Sequence, residues 1–164
     1  MKTLITGANG FIGSAVMQQL LAAGHDVRVL IRPRCDRRNL AGKQIEIHEG
    51  DLRDKNSLTQ ALKNCDSLFH LAADYRLWIP DPEVMYQCNV TGTRNLMLSA
   101  LDAGINRIVY TSSVATLGLH MDGTPANEET PVSLTDMIGH YKRSKFLAEE
   151  EVKKLIRAEG LPAV

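Results

Sequence analysis

Tyr141 and Lys145 are the two side chains in this sequence best suited to acid–base chemistry. They are four residues apart, so on a helix they lie on one face with adjacent side chains. A free tyrosine, with a pKa of about 10, is a poor acid or base near neutrality, but a neighbouring ammonium favours the phenolate. Such a pair can exchange a proton with a substrate oxygen. Because Tyr and Lys also recur at this spacing as an ordinary surface pair, other residues must support the chemical interpretation.

A glycine-rich turn, Thr6-Gly7-Ala8-Asn9-Gly10-Phe11-Ile12-Gly13, follows an apolar run and opens an apolar-periodic segment. The glycines therefore lie where a strand turns into a helix. Gly7 can take backbone angles closed to other residues, Gly10 lets the main chain approach a pyrophosphate, and Gly13 allows close helix packing. Free N–H groups at the helix start would face the phosphates. A tight turn without a ligand remains the alternative, since the spacing is G-x-x-G-x-x-G rather than G-x-G-x-x-G.

The end of the second predicted strand bears on the type of nucleotide. An acidic residue about 20 positions after the glycines would bind the ribose 2′-hydroxyl of NAD, and Arg32 stands at that position. Arginine cannot accept that bond but can bind a 2′-phosphate, and Arg34, Arg37 and Arg38 follow. This favours NADP. A solvated arginine-rich loop is the alternative, and Asp36 could still reach a ribose.

Residues at the ends of the next two strands could complete a nucleotide site. An adenine could rest against Leu52 and offer its amino group to Asp51, whereas nearby Asp54 is predicted to cap a helix. His70, inside a nearly all-apolar strand, is interpreted as a core histidine rather than a catalytic one. The small pair 72–73 leaves room for a ribose or nicotinamide against the backbone.

The elements that must position these residues alternate between strands and helices, which predicts an α/β fold with a doubly wound parallel sheet. The predicted strands are 1–6, 26–32, 45–48, 67–71 and 108–111, with a sixth beginning at 161–164. The predicted helices are 11–23, 57–63, 81–104 and 137–159. In such a sheet the glycine turn, Thr111-Ser112-Ser113 and the Tyr-x-x-x-Lys pair converge at the carboxyl edge of the strands.

Three segments allow more than one interpretation. Tyr75 and Trp78, in the predicted loop 74–82, either line a substrate cleft or cap the core. Asn89 is a poor helix former in the middle of a predicted helix, so it either makes a buried hydrogen bond or faces solvent. The long connection 114–135 is typical of a functional or mobile segment.

Composition sets further limits. The chain has 164 residues, a formal net charge of zero and three cysteines. One domain is expected, and neither nucleic acid nor a membrane is an expected partner. No signal pattern and no stretch of roughly 20 apolar residues occurs, which predicts a cytoplasmic protein. Cys35, Cys65 and Cys88 fit no C-x-x-C spacing, so neither a disulfide framework nor a metal site is expected.

The motifs together resemble a known family. T-G-A-N-G-F-I-G, G-D-L-R-D, L-F-H-L-A-A, N-V-T-G-T, V-Y-T-S-S and Y-K-R-S-K occur in the order typical of the extended short-chain dehydrogenase/reductases, the NAD-dependent epimerase/dehydratase group. Within that group, H-L-A-A-D-Y and Y-T-S-S-V-A-T-L-G are similar to dihydroflavonol-4-reductase-like proteins and to hopanoid-associated sugar epimerases.

The resemblance implies a Rossmann fold in which hydride moves between nicotinamide and a substrate carbon. Tyr141 would be the general acid/base, Lys145 its pKa-lowering and ribose-binding partner, and Ser113 the hydroxyl that orients the substrate oxygen. Arg32, in place of the acidic residue of NAD-preferring members, favours NADP, with NAD possible. The implied cofactor-binding residues are Gly7, Asn9, Gly10, Phe11, Ile12, Gly13, Arg32, Asp51, Leu52, Leu71, Ala72, Ala73, Thr111, Tyr141 and Lys145.

The resemblance also implies a longer protein, because family members run to roughly twice this length and bind substrate mainly with the part beyond. Residues 1–164 are therefore predicted to be an NAD(P)-binding domain truncated at its sixth strand, which binds cofactor but turns over little substrate. A homodimer through the helices around 83–103 and 137–159 is expected. Three functions stay open for the small-molecule site: a reductase, a nucleotide-sugar epimerase or dehydratase, and a non-catalytic redox sensor.

Overall fold

The computed structural model describes residues 1–120 and 122–164. Five parallel strands form one sheet in the order β3-β2-β1-β4-β5. The strands are β1 Lys2–Thr6, β2 Asp26–Ile31, β3 Glu46–Glu49, β4 Ser67–His70 and β5 Arg107–Tyr110. The α-helices are α1 Phe11–Ala22, α2 Lys55–Leu62, α3 Pro82–Tyr86, α4 Gly92–Asp102 and α5 His140–Glu159. The predicted α/β fold with a parallel sheet is confirmed.

The strand order creates a crevice at the carboxyl end of β1. β1 pairs with β2 on one side and with β4 on the other. The chain therefore leaves β1 towards β2 and β3, and later returns to build β4 and β5 on the opposite side. At such a switch point neighbouring connections diverge, and ligands of open α/β sheets bind there.

Helices cover both faces of the sheet. Leu4 and Ile5, adjacent in β1, point to opposite faces because side chains alternate along a strand. Leu4 belongs to a buried cluster with side chains of α2, α4 and α5, while Ile5 packs with side chains of α1 and β2. Both residues are fully buried, as expected of a parallel strand covered on both faces.

The predicted cap at Asp54 is confirmed, whereas the helices predicted over 57–63, 81–104 and 137–159 have other bounds in the structure. The carboxylate of Asp54 accepts a hydrogen bond from Asn56 N at 3.0 Å and caps α2, as predicted, while Asp81 caps α3 in the same way. The predicted helix 81–104 is interrupted by a π-helical turn, Gln87–Thr91. The last helix begins at His140 rather than at 137, because Gly139 has φ +83°, which a right-handed helix cannot accommodate.

The last residues of the chain pair with β5. Ala163 forms a parallel bridge with Ile108, and Tyr110 N donates to Val164 O at 2.8 Å. This pairing agrees with a sixth strand beginning at 161–164. The predicted connection 114–135 includes Met121, which lies outside the described residues; Val114–Thr116 and Leu134–Asp136 within it are 3₁₀ turns.

Neither a membrane-spanning helix nor a metal-binding cluster occurs among the described residues. None of the helices there combines the length and apolarity needed to cross a bilayer. The same part of the chain contains no group of three or more His, Cys, Asp or Glu side chains arranged to hold a metal ion. Cys35, Cys65 and Cys88 are free thiols.

Candidate functional site

The glycine turn connects β1 to α1 at the crevice. Gly7 has φ +76°, and a Cβ built on it would lie 2.7 Å from Ala72 N. A Cβ on Gly13 would lie 2.0 Å from Gly7 O, so the first turn of α1 can approach the β1 exit only without a side chain there. A Cβ on Gly10 would meet only Gly7 O, at 3.3 Å. Gly7 and Gly13 therefore serve the fold, whereas Gly10 borders open space.

The N-terminus of α1 offers hydrogen-bond donors at this opening. Gly10 is the N-cap, no side chain caps the helix, and the first turn has no acidic residue. Within the described chain, the backbone amides of Phe11 and Ile12 have no hydrogen-bond partner. Free amides at the positive end of a helix dipole favour a negatively charged group such as a phosphate.

The loop after β2 is attached to the glycine turn through Asn9. Asn9 Nδ2 donates to Asp36 O at 3.3 Å, and Asn39 Nδ2 donates to Asn9 O at 2.8 Å. The Asp36 carboxylate is itself bound by Arg38, whose side-chain hydrogen bond lowers the pKa of Asp36. Asn9 therefore holds the loop after β2 against the glycine turn.

The four arginines of this region differ in their partners. Arg37 pairs with Glu49, and Arg38 pairs with Asp36. Arg32 and Arg34 form no ion pair with any described residue. Both side chains are exposed at the carboxyl end of β2. Two of the four guanidinium groups are thus available to an anionic ligand.

Asp51 and Leu52 follow β3 at the same edge. The Asp51 carboxylate accepts hydrogen bonds from the backbone amide and guanidinium of Arg53, at 2.9 Å and 2.7 Å, and the guanidinium bond lowers the pKa of Asp51. Leu52 is 8% exposed, and a Cβ on Gly92 would lie 2.7 Å from Leu52 Cβ. Gly92 therefore allows α4 to pack directly on Leu52.

Lys145 is buried on α5, with 4% of its surface exposed. Its Nζ donates to Thr111 O at 3.0 Å and to the Tyr110 hydroxyl at 3.2 Å, and it lies 4.8 Å from the centroid of the Tyr110 ring. Burial lowers the pKa of Lys145 to about 8. The lysine predicted from the sequence is therefore held at the exit of β5 by fixed partners.

Two tyrosines lie near this lysine. Tyr141 is half-buried, one turn before Lys145 on the same face of α5. The pKa of Tyr110 is raised, mainly by burial and further by the charges of Glu149 and Tyr141. A phenol with a raised pKa is a weaker acid, so Tyr110 is poorly suited to proton transfer near neutrality.

Ser113 stands at the start of the 3₁₀ turn Val114–Thr116, against which α5 packs. Its Oγ accepts a hydrogen bond from Ala115 N at 3.2 Å. Because that bond uses a lone pair, the hydroxyl proton of Ser113 is free to be donated to another group. The structure therefore brings Ser113 to the same edge as the α5 pair.

Asn89 is a residue that the sequence left open. It is 2% exposed in the π-helical turn, where its Oδ1 accepts from Asp74 N at 2.7 Å. Its Nδ2 donates to Asp74 O at 2.8 Å and to Ser144 Oγ at 2.9 Å. Asn89 thus joins the loop after β4 to the turn of α5 between Tyr141 and Lys145; the buried interpretation is correct.

The loop after β4 carries exposed aromatic residues. Tyr75 and Trp78 are each 77% exposed. The interpretation that they cap the core is therefore wrong. Their side chains lie on the surface, next to residues that the sequence assigned to the cofactor's middle, Leu71, Ala72 and Ala73.

His70 is a buried residue of β4, as predicted. Its Nδ1 lies 2.7 Å from Thr6 Oγ1 and its Nε2 lies 2.9 Å from Thr93 Oγ1. With both ring nitrogens occupied, the imidazole links β1 and β4 to α4 and has no free position for a substrate. Burial lowers the pKa of His70 to about 3.

This shift predicts acid destabilisation. Because the unfolded state binds a proton near pH 6.5 and the folded state does so only near pH 3, stability falls as pH drops between those values. We expect the free energy of unfolding to fall by about 2 kcal/mol between about pH 6.5 and about pH 4.5. Urea unfolding at both pH values would measure it, and His70→Gln should remove most of the pH dependence. If the stability of His70→Gln fell with pH as steeply as that of the unmodified protein, His70 would not be the source of the pH dependence.

Comparison with known proteins identifies the family of this chain. The model of the NAD dependent epimerase/dehydratase family matches residues 3–164. This chain belongs to that family.

Three relatives of this family member illustrate the range of the match. A putative dihydroflavonol 4-reductase of Synechocystis sp. is 44% identical over 90% of the chain. The crystal structure of gox2253 is 58% identical, with a TM-score of 0.94 over 98% of the chain. A UDP-glucose 4-epimerase of Thermus thermophilus in complex with NAD is 28% identical, with a TM-score of 0.87 over 99% of the chain.

The chain spans about half the length of these relatives. It covers 43% of the Synechocystis protein, 49% of gox2253 and 53% of the Thermus epimerase. The matched half contains the glycine turn and the residues around Tyr141 and Lys145.

Proposed function

We propose that this chain is the nucleotide-binding half of an NAD(P)-dependent oxidoreductase that acts on a carbonyl or hydroxyl carbon of a small molecule. A reductase similar to dihydroflavonol 4-reductases is favoured, because the putative enzyme of that name is 44% identical to this chain over 147 aligned residues. The observation that carries the proposal is the buried Lys145, held by Thr111 O and by Tyr110 one helical turn from Tyr141.

The residues present fit a dinucleotide. The space beside Gly10 and the free amides of Phe11 and Ile12 suit a pyrophosphate, and the ionised Asp51 suits the amino group of an adenine resting on Leu52. The middle of the cofactor and its nicotinamide ribose would be held by Leu71, Ala72, Ala73, Thr111, Tyr141 and Lys145. When bound, the nicotinamide supplies the hydride donor or acceptor.

The proton chemistry belongs to the chain's own residues. Tyr141 gives its proton to the substrate oxygen in reduction and takes it back in oxidation. Lys145, whose burial lowers its pKa to about 8, carries its positive charge below that pH, one helical turn from the Tyr141 phenol. Ser113, whose hydroxyl proton is free, donates a hydrogen bond to the same substrate oxygen and fixes its position.

NADP is the proposed cofactor because Arg32 and Arg34 have no carboxylate partners in the described part of the chain. We expect Arg32→Asp to weaken NADPH binding by about tenfold to a hundredfold, since a charge-assisted hydrogen bond contributes about 1.5–3 kcal/mol. NADH binding should stay the same or improve. Fluorescence titrations with both nucleotides would measure this, with Arg38→Asp as a control that removes an arginine already paired with Asp36. A preference of the unmodified protein for NADH would contradict it.

A nucleotide-sugar epimerase is the second candidate, supported by the Thermus relative, which is a UDP-glucose 4-epimerase in complex with NAD. A reductase consumes NADPH in stoichiometric amounts, whereas an epimerase oxidises and re-reduces its substrate without net consumption. Following NADPH absorbance with a dihydroflavonol, and sugar configuration with UDP-glucose, would separate the two.

The same assays bear on the truncation. We propose that residues 1–164 bind NADPH alone but turn over little substrate, and that the full-length protein is a homodimer. Equal turnover in the fragment and in the full-length protein would refute the first statement. A monomeric mass of the full-length protein in light scattering would refute the second.

A further inference from the structure

Glu149 joins α5 to the turn that follows β5. Its Oε2 accepts hydrogen bonds from Ser112 Oγ and, at 3.0 Å, from Thr116 Oγ1. Its Oε1 lies 2.6 Å from Nζ of Lys153, one helical turn further along. Glu149 belongs to none of the motifs that the sequence singles out.

The two hydroxyl donors lie on either side of Ser113. The single hydroxyl hydrogen of Thr116 is shared between Glu149 and Ser113 O, which lies 2.7 Å from Oγ1, and Thr116 N donates to the same carbonyl at 3.0 Å. A single carboxylate therefore fixes the turn before and after the serine. The anchor of this carboxylate is α5, the helix that carries Tyr141 and Lys145.

The carboxylate of Glu149 is ionised in this setting. Burial opposes its charge, but hydrogen bonds from Lys153, Ser112 and Thr116 outweigh that effect and lower the pKa of Glu149. Hydrogen bonds to an ionised acceptor are about twice as strong as those between neutral groups. Three donors on one carboxylate make this the most highly connected acidic side chain of α5 among the described residues.

We propose that Glu149 is a positioning residue that sets where Ser113 stands relative to Tyr141 and Lys145. The proposal rests on the proposed function, since it assumes that Ser113 orients the substrate oxygen. β5 and α5 are separate elements, and their relative position alone does not determine the conformation of the turn between 112 and 116. A displacement of about 1 Å in such a group can cost about a hundredfold in rate.

The test compares Glu149→Ala with Glu150→Ala in the full-length protein. Glu150 is the matched control. Among the described residues its carboxylate binds no hydroxyl group and pairs only with Lys153, at 3.3 Å. We expect Glu149→Ala to lower kcat with a dihydroflavonol and NADPH by about tenfold to a hundredfold, while the Kd for NADPH changes by less than about twofold. Amide hydrogen exchange across 112–117 should become faster in Glu149→Ala and stay unchanged in Glu150→Ala.

Two further variants distinguish a loss of positioning from a general loss of folding. Glu149→Gln keeps an acceptor oxygen for Ser112 and Thr116 and should recover part of the lost kcat. The double variant Ser112→Ala/Thr116→Val removes the donors but leaves the ion pair with Lys153 in place. Its effect on kcat should not add to that of Glu149→Ala, because all three changes break the same contacts.

Unchanged exchange across 112–117 in Glu149→Ala would overturn the proposal, as would additive effects in the combined variant. Failure of the proposed function gives a different result. If Tyr141→Phe leaves turnover intact or no turnover is found, the assigned chemistry fails, and exchange alone then decides whether Glu149 holds the turn. If Tyr141→Phe abolishes turnover while Glu149→Ala retains the kcat of the unmodified protein, the positioning role alone fails.

Discussion

Replacing Tyr141 by phenylalanine is expected to lower kcat of the full-length protein by about 10²–10⁴-fold, the usual contribution of a positioned acid or base. The ring and its packing on α5 remain, so the variant loses only the hydroxyl to which we assign the proton transfer. NADPH binding should change by no more than about tenfold, the contribution of one hydrogen bond. Steady-state reduction of a dihydroflavonol and fluorescence titration with NADPH would measure the two quantities.

The control is Tyr86→Phe. Tyr86 is a half-buried tyrosine of α3 whose hydroxyl lies 3.1 Å from Nδ1 of His140, the first residue of α5. Its replacement also removes one hydroxyl, yet it should keep kcat within about twofold. If Tyr141→Phe retained kcat like this control, the acid/base assignment would be wrong, and a redox sensor that only binds the cofactor would become the better interpretation.

The second large effect concerns two glycines of the same turn. We expect Gly13→Ala to destabilise the fold by about 3 kcal/mol or more, because its Cβ would lie 2.0 Å from Gly7 O, a backbone atom that cannot move away independently. Gly10→Ala should cost no more than about 1 kcal/mol, since its Cβ would meet only Gly7 O, at 3.3 Å, and alanine is a somewhat poorer N-cap than glycine. Thermal unfolding of both variants would measure the difference.

Cofactor binding should distinguish the same two variants in another way. The methyl group of Gly10→Ala would enter the space proposed for the pyrophosphate, so NADPH affinity should fall by about tenfold or more although the protein stays folded. A stable Gly13→Ala variant would show that the turn is less tightly packed than described. A Gly10→Ala variant that binds NADPH normally would show that the pyrophosphate lies elsewhere.

The sequence predicted the elements whose signals are local. β1, the glycine turn and α1 were predicted to within one residue at each end, because an apolar run, three glycines and a helical apolar period lie within a short stretch. The caps at Asp54 and Asp81 were predictable for the same reason, since a capping side chain binds an amide only two residues away. The left-handed Gly139 has no comparable local signal, and the start of α5 was misplaced.

At the site, the contacts that the sequence did not predict join residues that are far apart in the chain. The residue types and the order of Ser113, Tyr141 and Lys145 along the chain were available from the sequence, and parallel strands guarantee that they share one sheet edge. The sequence did not specify that the Lys145 ammonium lies against Tyr110, or that Asn89 joins Asp74 to Ser144. These contacts require β4, β5 and α5 to be packed together first.

The sequence by itself therefore determined the family and the fold class and supplied the candidates for the reactive side chains, because motif spacing and apolar periodicity are properties of neighbouring residues. Only the tertiary structure decided which groups are buried and what each one contacts. The lowered pKa values of His70 and Lys145 and the hydrogen bonds of Glu149 follow from this packing. Desolvation and hydrogen bonding depend on atoms that are distant in the chain and become neighbours only when the sheet and its helices assemble.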